Sequence, residues 1–321
     1  MILNIKNFIV AIALIGLTSC QQKQEPLVLS SPGAINEIQF SLSAQGVPTY
    51  QVSHGAIQVL NPSELGFVFK DNDSLYRNFE IVAVERRSFD KEWDQVWGEK
   101  KTIRNNYNEL AVQLQEKGAK QRKLNLEFRA YDDGVAFRYI FPEQGVKDSI
   151  FIMDELTEFE LAEDGKAWWI PAYDEQRYEY LFNASPVSTL DTVHTPLTIE
   201  SKSGLSLSFH EANLINFAST TLAHTQGTTL KTDLVPWSDG VKVRITDSFT
   251  TPWRTLQIAK EPTELITSYL ILNLNEPNKF EDTSWIKPFK YIGIWWGMHI
   301  GKYTFWEGEN QGATTKNAKK Y

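Results

Sequence analysis

Two groups of side chains could act on a polar substrate: His210 with Glu211, and Trp296 with His299. Imidazole and carboxylate groups can move protons or bind a metal, whereas an indole offers an apolar platform for a sugar ring. His210 and Glu211 follow an alternating apolar stretch, and neighbours on a strand point to opposite faces. They lack the spacing of a helical His-Glu-x-x-His zinc site. We therefore predict that at most one of the pair faces a pocket, or that one is solvated and the other hydrogen-bonded internally.

The elements that would position these groups are short strands between about Leu27 and Phe280. Period-two alternation is clearest at Leu124–Phe128, and glycine- and proline-containing turns separate the runs. No long amphipathic helix interrupts the pattern. The sequence predicts a mostly β fold, a large antiparallel sandwich. Within it, we interpret Arg254 as a buried arginine paired to a carboxylate and Asp132-Asp133-Gly134 as a hairpin turn.

A different pattern begins after the connector 274–279. The apolar run Tyr291–Trp296 suits a strand buried on both faces, and residues 313–320 resemble a helix start. Strand, loop and helix in this order predict the first unit of a (β/α)8 barrel, and one unit cannot close a barrel. Trp296 and His299 would lie at the end of that strand, which in barrels faces the active site, with Trp296 as a sugar platform and His299 as a hydrogen-bond partner. The predicted domains are 27–283 and 284–321.

The sequence of the N-terminus predicts that the protein is exported. Lys6 precedes the apolar stretch 8–17, and Leu17-Thr18-Ser19-Cys20 resembles a bacterial lipoprotein signal. We predict a signal peptide over 1–20, lipidation at Cys20, a polar tether over 21–26, and a periplasmic location with an outer-membrane lipid anchor. A cleaved secretory signal is the alternative. Cys20 is the only cysteine, which leaves no internal disulfide and no cysteine-based metal site.

The composition and net charge limit the kinds of partner that the protein is expected to bind. The 321 residues are 42% hydrophobic and 22% charged, which are ordinary values for a globular protein. The formal net charge is −8, whereas binding a phosphate backbone needs a clustered basic surface. We predict no nucleic-acid partner, and contact with a membrane only through the anchor at Cys20.

Six stretches, in order along the chain, resemble glycoside hydrolase family 97, the α-glucosidases and α-galactosidases of polysaccharide-degrading bacteria. They are Ser30–Phe40, Phe128–Tyr139, His210–Leu214, Thr251–Ala259, Ser284–His299 and Gly312–Tyr321. The resemblance implies an N-terminal β-supersandwich, a central (β/α)8 barrel and a small C-terminal β domain. This chain would contain the first of these and only the opening of the barrel.

The resemblance also assigns site residues. It places the catalytic carboxylates on barrel strands beyond residue 321, so no catalytic residue is assigned here. It matches Glu179, in Arg177-Tyr178-Glu179, to a calcium ligand beside the substrate, against the alternative of a surface glutamate. His210 and Glu211 would act near the calcium and the sugar. Because calcium prefers about 6–8 oxygen ligands, the calcium site is incomplete and the chain alone should bind the ion negligibly.

Three functions remain open. The first is the N-terminal part of a calcium-dependent, exo-acting α-glycosidase on oligosaccharides, inactive by itself because the barrel carboxylates are missing. The second is a non-catalytic carbohydrate-binding β-sandwich lipoprotein. The third is a chain with no useful activity, since an uncovered barrel strand would promote aggregation.

Overall fold

The computed structural model describes residues 25–143, 149–175, 177–246 and 248–320. The predicted signal peptide, the lipidation site Cys20 and residues 21–24 of the predicted tether lie outside this part of the chain. Within it, no helix is long and apolar enough to cross a bilayer.

The fold is built almost entirely of strands. The first eleven are β1 Leu27–Ser30, β2 Asn36–Leu42, β3 Pro48–His54, β4 Ile57–Glu64, β5 Phe67–Phe69, β6 Ser74–Leu75, β7 Phe79–Asp94, β8 Thr102–Glu116, β9 Lys123–Tyr131, β10 Gly134–Phe141 and β11 Ser149–Glu155. The others are β12 Glu158–Glu160, β13 Gly165–Trp169, β14 Asn183–Pro186, β15 Thr192–His194, β16 Leu197–Ser201, β17 Ser206–Ala212, β18 Thr220–Gln226, β19 Thr229–Leu234, β20 Val243–Thr246, β21 Phe249–Thr250 and β22 Trp253–Ala259. The short helices are α1 Pro262–Thr267, α2 Leu270–Asn273, α3 Trp296–His299 and α4 Thr315–Ala318, with single 3-10 turns at Lys70–Asn72 and Val187–Thr189.

The strands form one large and three small antiparallel sheets. The large sheet has the order β14-β13-β16-β17-β22-β10-β9-β8-β7, with β21 also paired to β10. The small sheets have the orders β1-β2-β3-β4, β20-β11-β5-β6 and β12-β19-β18-β15. The prediction of a large antiparallel β-sandwich is confirmed.

One continuous core joins the large sheet to each small sheet. Aromatic pairs mark all three contacts, with ring centroids 5.5 Å apart for Phe40–Phe128, 4.6 Å for Phe67–Tyr139 and 5.3 Å for Phe159–Phe209. The alternation predicted for β9 is present, because Leu124, Leu126 and Phe128 are buried while the residues between them are half-buried. The small sheets therefore cover one face of the large sheet.

A second, smaller cluster lies on the opposite face of the large sheet. Trp253 of β22 and Tyr131 of β9 pack there with Leu270 of α2. All seven residues of β22 are buried, because the small sheets cover one of its faces and this cluster covers the other. This central strand carries Arg254.

The barrel strand predicted over Tyr291–Trp296 is not formed. Residues 286–295 have no regular structure, and Trp296 begins α3. The side chain of Tyr291 is 83% exposed. The physical reason is that a strand buried on both faces needs paired neighbours, and no described strand pairs with this segment. The predicted helix start is present as the single turn α4, whose N-cap Thr314 accepts a hydrogen bond from the Asn317 backbone.

Candidate functional site

A cleft of about 490 Å³ lies between the β13–β14 loop and the segment at α3. Its lining residues are Glu175, Arg177, Tyr178, Glu179, Trp295 and His299, and we call it the Glu179 cleft. A larger cavity of about 910 Å³ lies beside β2 and β3. There, the polar side chains already pair with one another, Gln51 with Gln39 at 2.7 Å and Ser41 with Thr49 at 3.0 Å. We therefore take the Glu179 cleft as the candidate site.

Two contacts join its walls across more than 100 residues of sequence. Trp295 Nε1 donates to Glu179 Oε1 at 2.6 Å. Arg177 donates to the His299 backbone oxygen at 2.7 Å and lies 3.2 Å from His299 Nδ1. The structure thus brings together Glu179 and His299, which the sequence placed in separate predicted domains.

The electrostatics of the cleft keep Glu179 ionised. The hydrogen bond from Trp295 lowers the pKa of this exposed carboxyl, and the nearby His299 acts in the same direction. Glu175 forms a salt bridge with Arg177 at 2.9 Å. No described residue hydrogen-bonds to His299 Nε2, which is buried. The cleft therefore combines an ionised carboxylate, an indole and an imidazole ring.

Side-chain contacts with strands of a small sheet hold the loop that carries Glu179. The Tyr178 ring stacks on His194 of β15, with centroids 3.9 Å apart and planes 30° apart. Tyr173 donates from its hydroxyl to Asp233 Oδ2 of β19 at 2.7 Å. Burial lowers the pKa of His194, so its ring is neutral near pH 7. Strands of a small sheet therefore hold the irregular loop in place.

Trp296, the predicted sugar platform, does not line the cleft. It is the first residue of α3, and its neighbour Trp295 takes the place in the lining. The prediction placed Trp296 at the end of a strand, whereas the backbone becomes helical at Trp296. The indole available in the cleft is that of Trp295.

Glu211 lies in a buried ion network. Arg254 donates to Glu155 at 2.8 and 2.6 Å and to Glu211 Oε2 at 2.8 Å. Glu211 Oε1 accepts from the Thr220 backbone at 3.0 Å. Burial raises the pKa of Glu211, and Arg254 opposes that shift. Arg254 is 1% exposed, so the predicted pairing of a buried arginine with a carboxylate is confirmed.

His210 lies on β17 beside Glu211 and, like it, is not part of the cleft lining. Its Nδ1 is buried without a described hydrogen-bond partner, and burial lowers its pKa. Of His210 and Glu211, the residue that is hydrogen-bonded internally is Glu211. The structure does not bring His210 or Glu211 together with Glu179.

The described residues do not form a calcium site by themselves. No group of three or more Asp, Glu, His or Cys side chains lies close enough among them to hold a metal ion. Glu179 offers an oxygen ligand, but calcium requires several more. Its Oε1 is also engaged by Trp295.

Sequence reasoning missed Arg177 and Trp295 as parts of the cleft, and it missed His194 behind it. Arg177 adjoins Glu179 within a stretch that has no strand pattern, and charged residues in such a loop are a usable signal. Trp295 lies within the apolar run Tyr291–Trp296, which predicted a buried strand and not the wall of a cleft. No local sequence pattern points to His194, because its role depends on a stacking contact with Tyr178 that only the folded chain forms.

The chain is similar to known glycoside hydrolases. Residues 29–277 match the family described as Glycosyl-hydrolase 97 N-terminal. A solved structure of a glycoside hydrolase family 97 enzyme from Pseudoalteromonas sp. strain K8, in complex with panose, is 41% identical with a TM-score of 0.81, over 92% of this chain and 45% of that one. An acarbose complex of that enzyme gives the same values.

Two curated relatives are α-galactosidases. A retaining alpha-galactosidase from Bacteroides thetaiotaomicron is 22% identical over 86% of this chain and 45% of its own length. A probable retaining alpha-galactosidase from Streptomyces bingchenggensis is 29% identical over 83% of this chain and 41% of its own length. The chain therefore spans less than half the length of the relatives it matches.

Proposed function

Because this chain belongs to the glycosyl-hydrolase 97 N-terminal family, we propose that it is the N-terminal β-domain part of a calcium-dependent, exo-acting α-glycosidase that hydrolyses oligosaccharides. The observation that carries the proposal is the Glu179 cleft, where an ionised carboxylate, an indole and an imidazole converge. The panose and acarbose bound by the relative from Pseudoalteromonas support an oligosaccharide as the substrate class.

The acid and base of the reaction would come from outside this chain. Glycoside hydrolysis uses two carboxyl groups, one of them kept protonated by a raised pKa. The hydrogen bond from Trp295 lowers the pKa of Glu179 instead, and Glu175 is paired with Arg177. Burial raises the pKa of Asp133, Glu158 and Glu211, none of which lines the cleft. The cleft therefore suits binding and orientation better than proton transfer.

Within the cleft, each side chain has a proposed task. Trp295, in place of Trp296, would cover the apolar face of a sugar ring, and the His299 side chain would hydrogen-bond to a hydroxyl. Glu179 would supply one oxygen ligand to calcium. When bound, calcium would supply a positive charge beside the reacting sugar. Glu211 and His210 would act only at a distance from the sugar.

The exported, lipid-anchored location also belongs to the proposal. It rests on Cys20 and the apolar stretch 8–17, which precede the described residues. A periplasmic enzyme anchored to the outer membrane at Cys20 would meet oligosaccharides after they enter the periplasm. A Cys20→Ser variant should lose membrane association in cell fractionation, and retained association would contradict the anchor.

The test begins by reading the gene beyond the codon for Tyr321. If the frame continues, the longer protein should hydrolyse p-nitrophenyl α-glucoside or α-galactoside, and a chelator such as EGTA should reduce that activity. The chain of 321 residues alone should show neither hydrolysis nor calorimetric calcium binding. Activity that is indifferent to EGTA, or tight calcium binding by the chain alone, would contradict the proposal.

A matched pair of variants tests the role of Glu179. Glu179→Gln removes the charge and keeps the shape, so the calcium needed for half-maximal activity should rise at least about tenfold. Glu309→Gln alters an exposed carboxylate outside the cleft and should leave it unchanged. Equal calcium requirements in the two variants would remove Glu179 from the metal site.

A second candidate is the non-catalytic carbohydrate-binding lipoprotein. The observation that favours it is that the Glu179 cleft holds binding groups and that the pKa of its Glu179 carboxyl is lowered by the hydrogen bond from Trp295. A stop codon directly after Tyr321, with panose binding and no hydrolysis, would select this candidate.

A further inference from the structure

A second cleft, of about 410 Å³, lies between the β17–β18 loop and the loop that joins β19 to β20. We call it the Trp237 cleft. Its lining residues are Asn216, Phe217, Ala218, Ser219, Val235, Pro236, Trp237, Lys242, Val243 and Arg244. Trp237 is 63% exposed in this cleft.

A turn in the β19–β20 loop holds the backbone of Trp237. The Trp237 backbone N–H donates to the Val241 oxygen at 2.8 Å, and the Gly240 N–H donates back to the Trp237 oxygen at 2.9 Å. Gly240 has a φ of +82°, which favours glycine at this turn. The Arg244 guanidinium lies 5.4 Å from the centre of the Trp237 ring. The backbone that carries the indole is therefore fixed, and the ring is exposed beside a guanidinium group.

The charges around this platform are already paired. Arg244 forms a salt bridge with Asp239, and Lys242 Nζ bonds to Asp233 Oδ1 at 3.0 Å. An anionic ligand would have to compete with these carboxylates. The cleft therefore favours a neutral ligand that combines an apolar face with a polar rim.

A sugar ring has this combination. The C–H groups of its apolar face can stack on the indole, and its hydroxyls can bond to the polar rim formed by Asn216, Ser219 and Lys242. We propose that the Trp237 cleft binds one unit of a neutral oligosaccharide, at a site separate from the Glu179 cleft. The ligand class rests on the proposed function, but binding here requires no hydrolysis.

One carboxylate links the Trp237 cleft to the loop of the Glu179 cleft. The Asp233 carboxylate binds Lys242 of the Trp237 cleft with one oxygen and the Tyr173 hydroxyl with the other. Tyr173 belongs to the β13–β14 loop that carries Glu179. An oligosaccharide held at Trp237 is thus retained beside the loop of the candidate site.

The experiment follows the indole N–H signals of the ten tryptophans by NMR during a titration of the chain with panose. Trp237→Phe identifies the Trp237 signal by its disappearance, and unchanged positions of the other signals show that the fold persists. We expect a saturable shift of the Trp237 signal in the wild type. The same shift should occur in Trp295→Phe, where the Glu179 cleft lacks its indole.

Two further variants sharpen the test. Lys242→Met should weaken the affinity reported by the Trp237 signal several-fold, because methionine provides no hydrogen-bond donor at the rim. Trp306 is 80% exposed without lining this cleft, so its signal controls for non-specific contact with sugar. No shift at Trp237, or a shift no larger than that of Trp306, would overturn the proposal. A shift of the Trp295 signal alone would overturn it while leaving the proposed function of the Glu179 cleft standing.

Discussion

The buried charge of Arg254 is balanced by two carboxylates from different sheets. Burial opposes its charged form, but Glu155 of β11 and Glu211 of β17 outweigh that effect and raise the pKa of Arg254. The arrangement links a small sheet to the large sheet through the core. Removing one partner of a buried pair leaves uncompensated charge, and this costs more than the pair contributes.

Arg254→Met should therefore lower the free energy of unfolding by about 3–5 kcal/mol. Urea denaturation followed by circular dichroism measures the loss. The matched control is Arg254→Met combined with Glu155→Gln and Glu211→Gln, which removes the orphaned charges and should recover part of the stability. A single variant as stable as this triple variant would show that the charges are not the cause.

His210 predicts a pH dependence of stability. Burial lowers its pKa below the usual 6.5 of a histidine, so the unfolded chain takes up a proton more readily than the folded chain does. The stability that neutral His210 gives is present above about pH 6.5 and is lost as the pH falls below it. Carboxyl groups with lowered pKa values, such as Asp73, act only at lower pH.

His210→Gln should therefore lose less thermal stability than the wild type between about pH 7.5 and about pH 5.0. His54 and His194 also have pKa values lowered by burial and remain in the variant, so the difference isolates His210. His224→Gln, at a half-buried histidine that bonds to the Gly227 oxygen, should behave like the wild type. An unchanged pH dependence in His210→Gln would contradict the prediction.

Among the elements, the strands were predictable and the site was not. The alternation of Leu124, Leu126 and Phe128 is local, because the period of a strand appears in neighbouring residues. The contact between Glu179 and Trp295 joins residues 116 apart in sequence and leaves no local period. The resemblance to a family identified Glu179, whereas the residues that surround it depend on how two irregular segments meet.

The dependence on distant contacts also explains why the strand predicted over Tyr291–Trp296 is wrong. An apolar run fits a buried strand equally well whether or not partners exist, and the described residues provide none. The division into one large and three small sheets was also beyond local patterns, because it depends on which distant strands pair.

The β13–β14 loop depends on β15 for its position. His194→Ala would remove the ring on which Tyr178 stacks, and such aromatic pairs are worth about 0.5–1.5 kcal/mol beyond their buried area. We expect faster amide hydrogen exchange in the loop with little change in the core strands, measured by mass spectrometry. His224→Ala on β18 is the control. Uniformly faster exchange in the loop and in the core would mean that His194 supports the whole sheet instead.

At the scale of the whole molecule, the sandwich and the segment after Thr283 differ in how they are held. The sandwich has a continuous core, whereas the later segment leaves large apolar side chains exposed. They are Trp285, Phe289, Tyr291, Ile292, Trp295, Trp296, Ile300, Phe305 and Trp306. Three hydrogen bonds connect this segment to the sandwich. Trp97 donates to the Ile286 oxygen, and Arg177 donates to the His299 oxygen. Glu179 accepts from Trp295. An exposed apolar surface of this kind promotes association between molecules.

A chain ending at Asp282 should therefore be more soluble than the chain ending at Tyr321 and no less folded. The sandwich keeps both of its buried clusters in the shorter chain, because their residues end at Leu274. The measurements are the protein concentration that remains after ultracentrifugation and the midpoint of thermal unfolding. A Tyr291→Ser, Trp306→Ser variant of the full chain is the matched control, and it should recover part of the gain if exposed aromatic side chains are the cause. Equal or lower solubility of the shorter chain would mean that the sandwich itself associates, and it would count against the interpretation of this segment as the opening of a barrel.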